Sequence, residues 1–249
     1  QEGLSTRGVS SPIEPRWFRL LCLSFVVMRC QPLRRALSLF GVQRVKIKTG
    51  TDADYHQCIA IKHEYFKCRD AFEQFRKSAE HLILSGHDKY KSYRTYNSYS
   101  YFIHHLYEFL LACHARDFEN KNITNKKGIE KNKFIDSLIS EDAYRVVNGR
   151  IDRIKRGQAP SHENDISHYE KLLPIPASFA QEFRVYRNKI SGHASYERTK
   201  DLNLTDFYLK YHFYLYLLFV DVGEFWGRQG DDFPEFEDVT NFMKAMARE

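Results

Sequence analysis

The sequence predicts an all-α protein built as a bundle of about five long helices. Apolar residues recur at alternating spacings of three and four over five long stretches, as on the buried face of an amphipathic helix. Polar segments and segments with glycine or proline separate these stretches. No stretch is typical of a strand-rich unit, a glycine-rich nucleotide loop or an internal repeat. These observations together favour a helical bundle.

The composition is that of a folded globular protein. The 249 residues are 43% hydrophobic and 28% charged, which argues against extended disorder and leaves ample chain for a hydrophobic core. The five cysteines are an odd number, without a Cys-x-x-Cys pair or histidines at zinc-finger spacing. They therefore predict neither a disulfide framework nor a zinc site. We expect a reducing, cytoplasmic location and no metal or other cofactor.

The formal net charge of +6 belongs to the N-terminal segment. Residues 1–50 contain nine basic and two acidic residues, whereas residues 51–249 contain 29 basic and 30 acidic ones. We therefore divide the chain into a basic N-terminal appendage (1–50) and a nearly neutral helical bundle domain (51–249), in which any RNA site must be a local patch. The apolar run 20–28 is too short to span a membrane and lacks small residues at a cleavage site. The run is either a helix or strand that packs on the bundle or part of an appendage upstream of a native start at Met28, in which case residues 1–27 are not native.

Capping residues and a regular apolar face, the seam by which a helix packs in the bundle, predict each of the first two helices. Thr51, with Asp54 three residues on, is a helix N-cap, and Gly86 is the stop. The buried face of the first helix is predicted to hold Cys58, Ile61, Tyr65, Cys68, Phe72, Phe75, Ala79 and Leu82. Asn97 or Ser98 is the expected cap of the second helix. Its buried face is predicted to hold Tyr99, Phe102, Leu106, Phe109, Leu110 and Cys113.

A polar segment separates the second helix from the third. Residues 119–133 are mostly polar or basic, and Gly128 is expected to break any helix there, so the segment is predicted to be a solvated loop. The third helical pattern uses apolar residues between positions 134 and 154. We expect an interruption near Ser140 and an end at Gly157.

Two further long helices are predicted in the C-terminal part. The fourth begins near Pro176, which suits a first-turn position, and ends at Gly192. Asn203 or Thr205 caps the fifth. A short helix at about 239–246 completes the bundle.

A segment rich in tyrosine and lysine, residues 89–101, precedes the expected start of the second helix. Aromatic rings interleaved with cations can stack bases and hold the phosphates of single-stranded RNA. The candidate RNA-binding residues are Lys89, Lys91, Arg94, Tyr93 and Tyr96, together with Lys189 further along the chain. The alternative is that these tyrosines form a partly solvated helix surface or a contact between subunits. We favour this alternative because tyrosine, with an apolar ring and a polar hydroxyl, suits such surfaces generally.

The fourth helix ends in an arginine–histidine segment, Arg187-Asn188-Lys189-Ile190-Ser191-Gly192-His193. Arginine is a permanent cation suited to phosphate, and histidine moves protons near neutral pH. Segments 76–81 and 156–162 have a similar arginine–histidine spacing, so spacing alone does not identify a site. Only segment 187–193 has a polar residue directly after the arginine and a small residue before the histidine, at a junction between two amphipathic helices.

Segment 187–193 resembles the signature of the HEPN superfamily, in particular the versions with five intervening residues found among abortive-infection and other prokaryotic conflict proteins. The resemblance covers the motif, and the all-helical layout supports it. It implies a metal-independent endoribonuclease of a toxin or phage-defence system. It also implies a homodimer with two motifs facing each other across a cleft, RNA as substrate and an antitoxin protein as a possible partner. HEPN toxins silenced by a paired nucleotidyltransferase carry a tyrosine two residues after the histidine. Here Ser195 has that place and Tyr196 follows, so the resemblance does not extend to regulation by tyrosine modification.

The resemblance also implies catalytic roles. His193 acts as general base on a ribose 2′-OH or as general acid on the leaving 5′-oxygen, Arg187 stabilises the charge on the phosphate, and Asn188 is the supporting polar residue. Glu108 of the second helix is the candidate for a further acidic group, because it lies close to the apolar seam and can orient a histidine or arginine from a neighbouring helix.

Two alternatives stay open. One is a HEPN-like bundle that binds RNA or a partner protein without catalysis, and the other is a structural helical protein whose aromatic surface makes a dimer. A purely structural role is also open for the motif itself, in which Arg187 pairs with a carboxylate and His193 caps a helix end.

Overall fold

The computed structural model describes residues 50–86, 88–118, 127–191, 203–226 and 237–247. Helices hold 84% of these residues and none of them is in a strand, which confirms the all-α prediction. The helices described are α1 (Asp52–Ser85), α2 (Lys89–Asp117), α3 (Gly128–Lys155), α4 (Ser167–Glu170), α5 (Phe179–Ser191), α6 (Leu204–Trp226) and α7 (Glu237–Ala247). The predicted appendage, apart from Gly50, lies outside the described residues. None of the described helices is long and apolar enough to cross a membrane.

Helices α1 and α2 form the hairpin on which the rest of the bundle packs. Thr51 caps α1, since its hydroxyl accepts a hydrogen bond from the Asp54 amide at 3.2 Å. Gly86 ends the helix with a φ of 81°, a conformation that glycine adopts without strain. Both predictions are thus confirmed. Arg116, near the end of α2, donates from Nε and Nη2 to the two carboxylate oxygens of Asp54 at 2.6 and 3.0 Å. This contact joins the start of α1 to the end of α2, as antiparallel packing requires.

Helix α2 begins earlier than predicted, so the expected cap at Asn97 or Ser98 is wrong. Asp88 caps the helix, and its carboxylate accepts from the Lys91 amide at 2.9 Å. Four hydroxyl groups in the first half of α2 donate to the carbonyl four residues earlier, those of Ser92, Thr95, Ser98 and Ser100. Because these bonds satisfy the hydroxyls inside the helix, the polar residues do not end it. The tyrosine-rich segment is therefore helical.

Helix α3 also differs from the prediction. It begins at Gly128 and continues past Ser140 to Lys155, so the expected helix break and the expected interruption are both wrong. Ser140 is half-buried beside the fully buried Ile139, at the edge of the apolar face, where a polar side chain does not disturb the packing. The predicted end is confirmed by Gly157, whose φ is 64°.

The core of the bundle is largely aromatic. Its fully buried large side chains include Phe102, Phe109, Phe179, Phe183 and Phe207, which come from α2, α5 and α6. These rings hold α5 and α6 against the hairpin, and each buried ring contributes about 1.5–3 kcal/mol by leaving water.

The predicted start of α6 is confirmed and that of α5 is displaced. Asn203 caps α6 by accepting from the Asp206 amide at 3.1 Å. Helix α5 begins at Phe179 rather than at Pro176, and the Pro176 carbonyl accepts from the Phe179 amide at 2.9 Å. The short helix α4 was not predicted. The last helix, α7, is where the sequence predicts it.

Candidate functional site

An open cleft lies between α1, α2 and α5. Its volume is about 400 Å³. The residues that line it are Ala60, Glu64, Lys67, His104, His105, Glu108, Ala112 and Arg187. Two carboxylates, two permanent cations and two imidazoles thus share one cleft. Such a mixture of ionisable groups is typical of sites that bind charged ligands or transfer protons.

Arg187 and Glu108, two of the candidate catalytic residues, meet in this cleft. Arg187 lies on the last turns of α5, and its Nη2 pairs with Oε1 of Glu108 in the middle of α2. Its Nη1 donates to the side-chain oxygen of Asn188 at 2.7 Å. The guanidinium carbon also lies 5.6 Å from the ring centre of Tyr107, within the range of a cation–π contact. Both side chains of the ion pair stay 29% exposed, so the arginine is oriented but accessible.

A second pair in the cleft, which is not predicted from the sequence, joins α2 to α1. Nδ1 of His105 lies 2.5 Å from Oε1 of Glu64, and Nζ of Lys67 lies 3.4 Å from Oε2 of the same carboxylate. Burial by itself raises the pKa of Glu64, but the hydrogen bond with His105 and the charges of His105 and Lys67 outweigh burial and hold the pKa below its ordinary value. Glu64 is therefore ionised at neutral pH.

The other histidine of the cleft is neutral at neutral pH. Burial is the main cause that lowers the pKa of His104, and the charges of His105 and Arg187 lower it further. The His104 ring stands edge-on to that of His105, with 4.9 Å between the ring centres. Among the described residues, no group of three or more His, Cys, Asp or Glu side chains is arranged to hold a metal ion.

The sequence contains a signal for the pair of Glu64 and His105. Glu64 directly precedes Tyr65, and His105 directly precedes Leu106, so each polar residue flanks the buried seam of its helix. Polar residues that flank the seams of two paired helices face each other only in the correct register. The sequence does not provide that register.

Five of the candidate RNA-binding residues lie outside the cleft, on the first two turns of α2. Lys89, Tyr93, Arg94 and Tyr96 are exposed and Lys91 is half-buried. At 1.5 Å per residue they lie about 12–24 Å along the helix from the histidines of the cleft. This arrangement forms a separate exposed surface, which we call the α2 tyrosine surface.

The remaining candidate residues follow Arg187 along the chain. Asn188 is exposed and Lys189 is half-buried on the last turn of α5. His193, the candidate acid–base residue, lies outside the described residues, as does Gly192. No protein-family model, curated protein or solved structure matches the chain. The residues of the cleft and the motif are therefore the basis for a functional assignment.

Proposed function

We propose that the protein is a metal-independent endoribonuclease of the HEPN type, acting in a toxin or phage-defence system, with its active site in the cleft between α1, α2 and α5. The observation that supports this most directly is the position of Arg187, which stays 29% exposed and lines a cleft that also contains the side chains of His104 and His105. The ion pair with Glu108 orients the guanidinium but by itself also fits a purely structural role. A homodimer in which two such clefts face each other is part of the proposal.

The reaction uses the 2′-OH of the RNA as the nucleophile. The oxygen attacks the adjacent phosphorus, the bond from phosphorus to the 5′-oxygen breaks, and the products are a 2′,3′-cyclic phosphate and a free 5′-OH. Arg187 holds the phosphate and stabilises the negative charge that grows on its oxygens in the transition state. His193 takes part in proton transfer to or from the reacting oxygens. DNA lacks the 2′-OH and is not a substrate.

Glu108 and Asn188 act on the arginine rather than on the RNA. A guanidinium group has five N–H donors, so Arg187 can bind both residues and still bind a phosphate. Nε of Arg187 is buried and has no hydrogen-bond partner among the described residues, so the donors left for a phosphate are the remaining N–H groups of Nη1 and Nη2. The two contacts fix the direction of the guanidinium plane without using all of these donors, which is what a preorganised phosphate site requires.

The test is cleavage of RNA by the purified protein in EDTA. We expect 2′,3′-cyclic phosphate ends, and a loss of about 10²–10³-fold in rate for Arg187→Ala and His193→Ala. Arg76→Ala and His81→Ala are matched controls, because they change an arginine and a histidine at a similar spacing inside α1. Arg76 pairs with Glu73 and Glu80 of its own helix.

Two results would overturn the assignment. The first is a requirement for a divalent metal ion, and the second is full activity of Arg187→Ala. If the protein retains RNA without cleaving it, and the exposed α2 tyrosine surface carries that retention, the chain is instead a non-catalytic RNA-binding module.

A further inference from the structure

The proposed reaction needs two proton transfers. One proton leaves the 2′-OH as it attacks, and another arrives at the 5′-oxygen as it departs. Within one chain the motif supplies one histidine, His193, for these two steps. The pair formed by His105 and Glu64 lies in the same cleft as Arg187, and no step has yet been assigned to it.

The contact with Glu64 determines which nitrogen of His105 carries a proton. An ionised carboxylate can only accept hydrogen bonds, so the hydrogen between the two groups belongs to Nδ1. In a neutral imidazole with a protonated Nδ1, the lone pair is on Nε2. Nε2 is the outer atom of the ring, and the His105 side chain is 20% exposed where it lines the cleft. When the ring is neutral, Nε2 is therefore the atom that can accept a proton from a ligand in the cleft.

We propose that His105 is the general base of the cleft and that Glu64 positions it. This inference rests on the proposed ribonuclease function. Nε2 of His105 takes the proton of the 2′-OH while the 2′-oxygen forms its bond to phosphorus. The bond from phosphorus to the 5′-oxygen breaks, and His193 protonates that oxygen. His105 then returns its proton to water, and His193 regains one, so no further reactant is needed.

The surroundings of His105 suit the change of charge in this step. The ionisable groups that face it are His63, Glu64 and Lys67 of α1, His104 and Glu108 of α2, and Arg187 of α5. Burial, followed by the charge of Lys67, lowers the pKa of His63. The neighbouring imidazoles are therefore neutral, and the carboxylate of Glu64 stabilises the imidazolium that forms.

The first test replaces His105 by asparagine. His105→Asn keeps a short side-chain donor for Glu64 but has no group in the place of Nε2. We expect its cleavage rate to fall about 10²–10⁴-fold. His105→Gly should also be inactive and should recover activity when imidazole is added, a recovery that a purely structural role would not give. His56→Ala, an exposed histidine near the start of α1, is the control.

A second test separates the base from the acid. In an RNA substrate whose 5′-bridging oxygen is replaced by sulfur, the leaving group departs without protonation. The substrate should therefore restore cleavage by His193→Ala and leave His105→Asn inactive. The opposite pattern would contradict the assignment of His105 as the base.

A third test concerns Glu64. Glu64→Gln keeps the shape of the side chain and removes its charge, and we expect a loss of about tenfold or more in rate. Long-range ¹H–¹⁵N NMR spectra of the His105 ring should show the Nδ1-protonated tautomer in the unmodified protein and a mixture of tautomers in the variant. An unchanged tautomer together with an unchanged rate would exclude a positioning role.

The outcomes also distinguish the two proposals. If the unmodified protein cleaves RNA in EDTA and His105→Asn cleaves it equally fast, only the role of His105 is wrong. If the unmodified protein cleaves no RNA, the ribonuclease function and the role of His105 are wrong together.

Discussion

Helix α2 contains two histidine–carboxylate pairs with different surroundings. His105 meets Glu64 at 2.5 Å, with the two side chains 20% and 18% exposed. His114 meets Asp142 of α3 at 2.8 Å, with the side chains 11% and 10% exposed, and the other oxygen of Asp142 lies 3.6 Å from Arg145. The first pair opens onto the cleft and the second is enclosed by the bundle. A histidine–carboxylate contact alone therefore does not indicate a reactive site.

The ring nitrogen in the contact differs as well. His105 uses Nδ1, the nitrogen nearer the backbone, which leaves the outer Nε2 for another molecule. His114 uses Nε2 and so points the tip of its ring at Asp142. The first arrangement suits proton transfer to a ligand, and the second suits a link between two helices.

The largest effect that we expect from this comparison is on stability. Asp142→Ala leaves His114 without its carboxylate in an enclosed site, while Arg145 keeps Asp221 as a partner, and should lower the free energy of unfolding by about 3–5 kcal/mol. His105→Ala breaks a more exposed pair and should lower it by about 1 kcal/mol or less. Urea denaturation of both variants measures the difference. Equal losses would show that the two pairs have the same structural role.

A third histidine, His212, packs beside Tyr99 rather than beside a carboxylate. The pH dependence of stability therefore tests the effect of burial on its own. Burial lowers the pKa of His212 to about 4, and the Tyr99 hydroxyl lies 3.1 Å from its Nδ1, where a neutral ring accepts a hydrogen bond. The unfolded chain binds a proton below its ordinary pKa of about 6.5, whereas the folded ring does so only near 4. Stability is therefore complete above pH 6.5 and falls as the pH drops towards 4, by about 3 kcal/mol.

The matching variant is His212→Phe. It should show a smaller loss of stability between pH 6.5 and 4 than the unmodified protein, in thermal or urea denaturation at each pH. An unchanged slope would mean that the neutral form of His212 does not contribute to the acid sensitivity of the fold.

The smallest effect that we expect comes from changes to the α2 tyrosine surface, which should weaken RNA binding but, unlike changes to the cleft, should not alter the cleavage rate. Replacing Lys89, Lys91 and Arg94 by alanine should weaken RNA binding and reduce the salt dependence of log K by about 0.7 for each lost phosphate contact. The cleavage rate at saturating RNA should stay unchanged, in contrast to Arg187→Ala. Fluorescence anisotropy against salt concentration measures this, with the exposed Lys210→Ala as the control. An unaltered slope would assign the tyrosines to a protein contact instead.

The sequence predicts the long helices well, because each buries one face in a regular pattern. It fails at the start of α2, where hydroxyl groups bonded to the preceding turn resemble a capping segment, and at Gly128, which opens α3 instead of preventing a helix. Such local choices depend on packing that is distant in sequence.

The sequence predicts the candidate site only in part, because helical patterns show which residues lie beside a buried face but not which residues meet across helices. Glu108 is identified from its place beside the seam of α2, but the sequence does not show that Arg187 is the residue it meets. The pair of Glu64 and His105, 41 residues apart, depends on the register of the hairpin. That register results from the fit of many side chains and has no single sequence signal.

The α1–α2 hairpin has a consequence for the time at which the site becomes complete. Glu64 and His105 belong to two helices joined by a short turn, whereas Arg187 arrives with α5, much later in the chain. Contacts close in sequence form early, and the N-terminal part of a chain folds first during synthesis. A nascent chain thus acquires the proposed base before the arginine proposed to hold the phosphate. If the protein is the proposed ribonuclease, this order delays activity until the chain has left the ribosome far enough for α5 to pack.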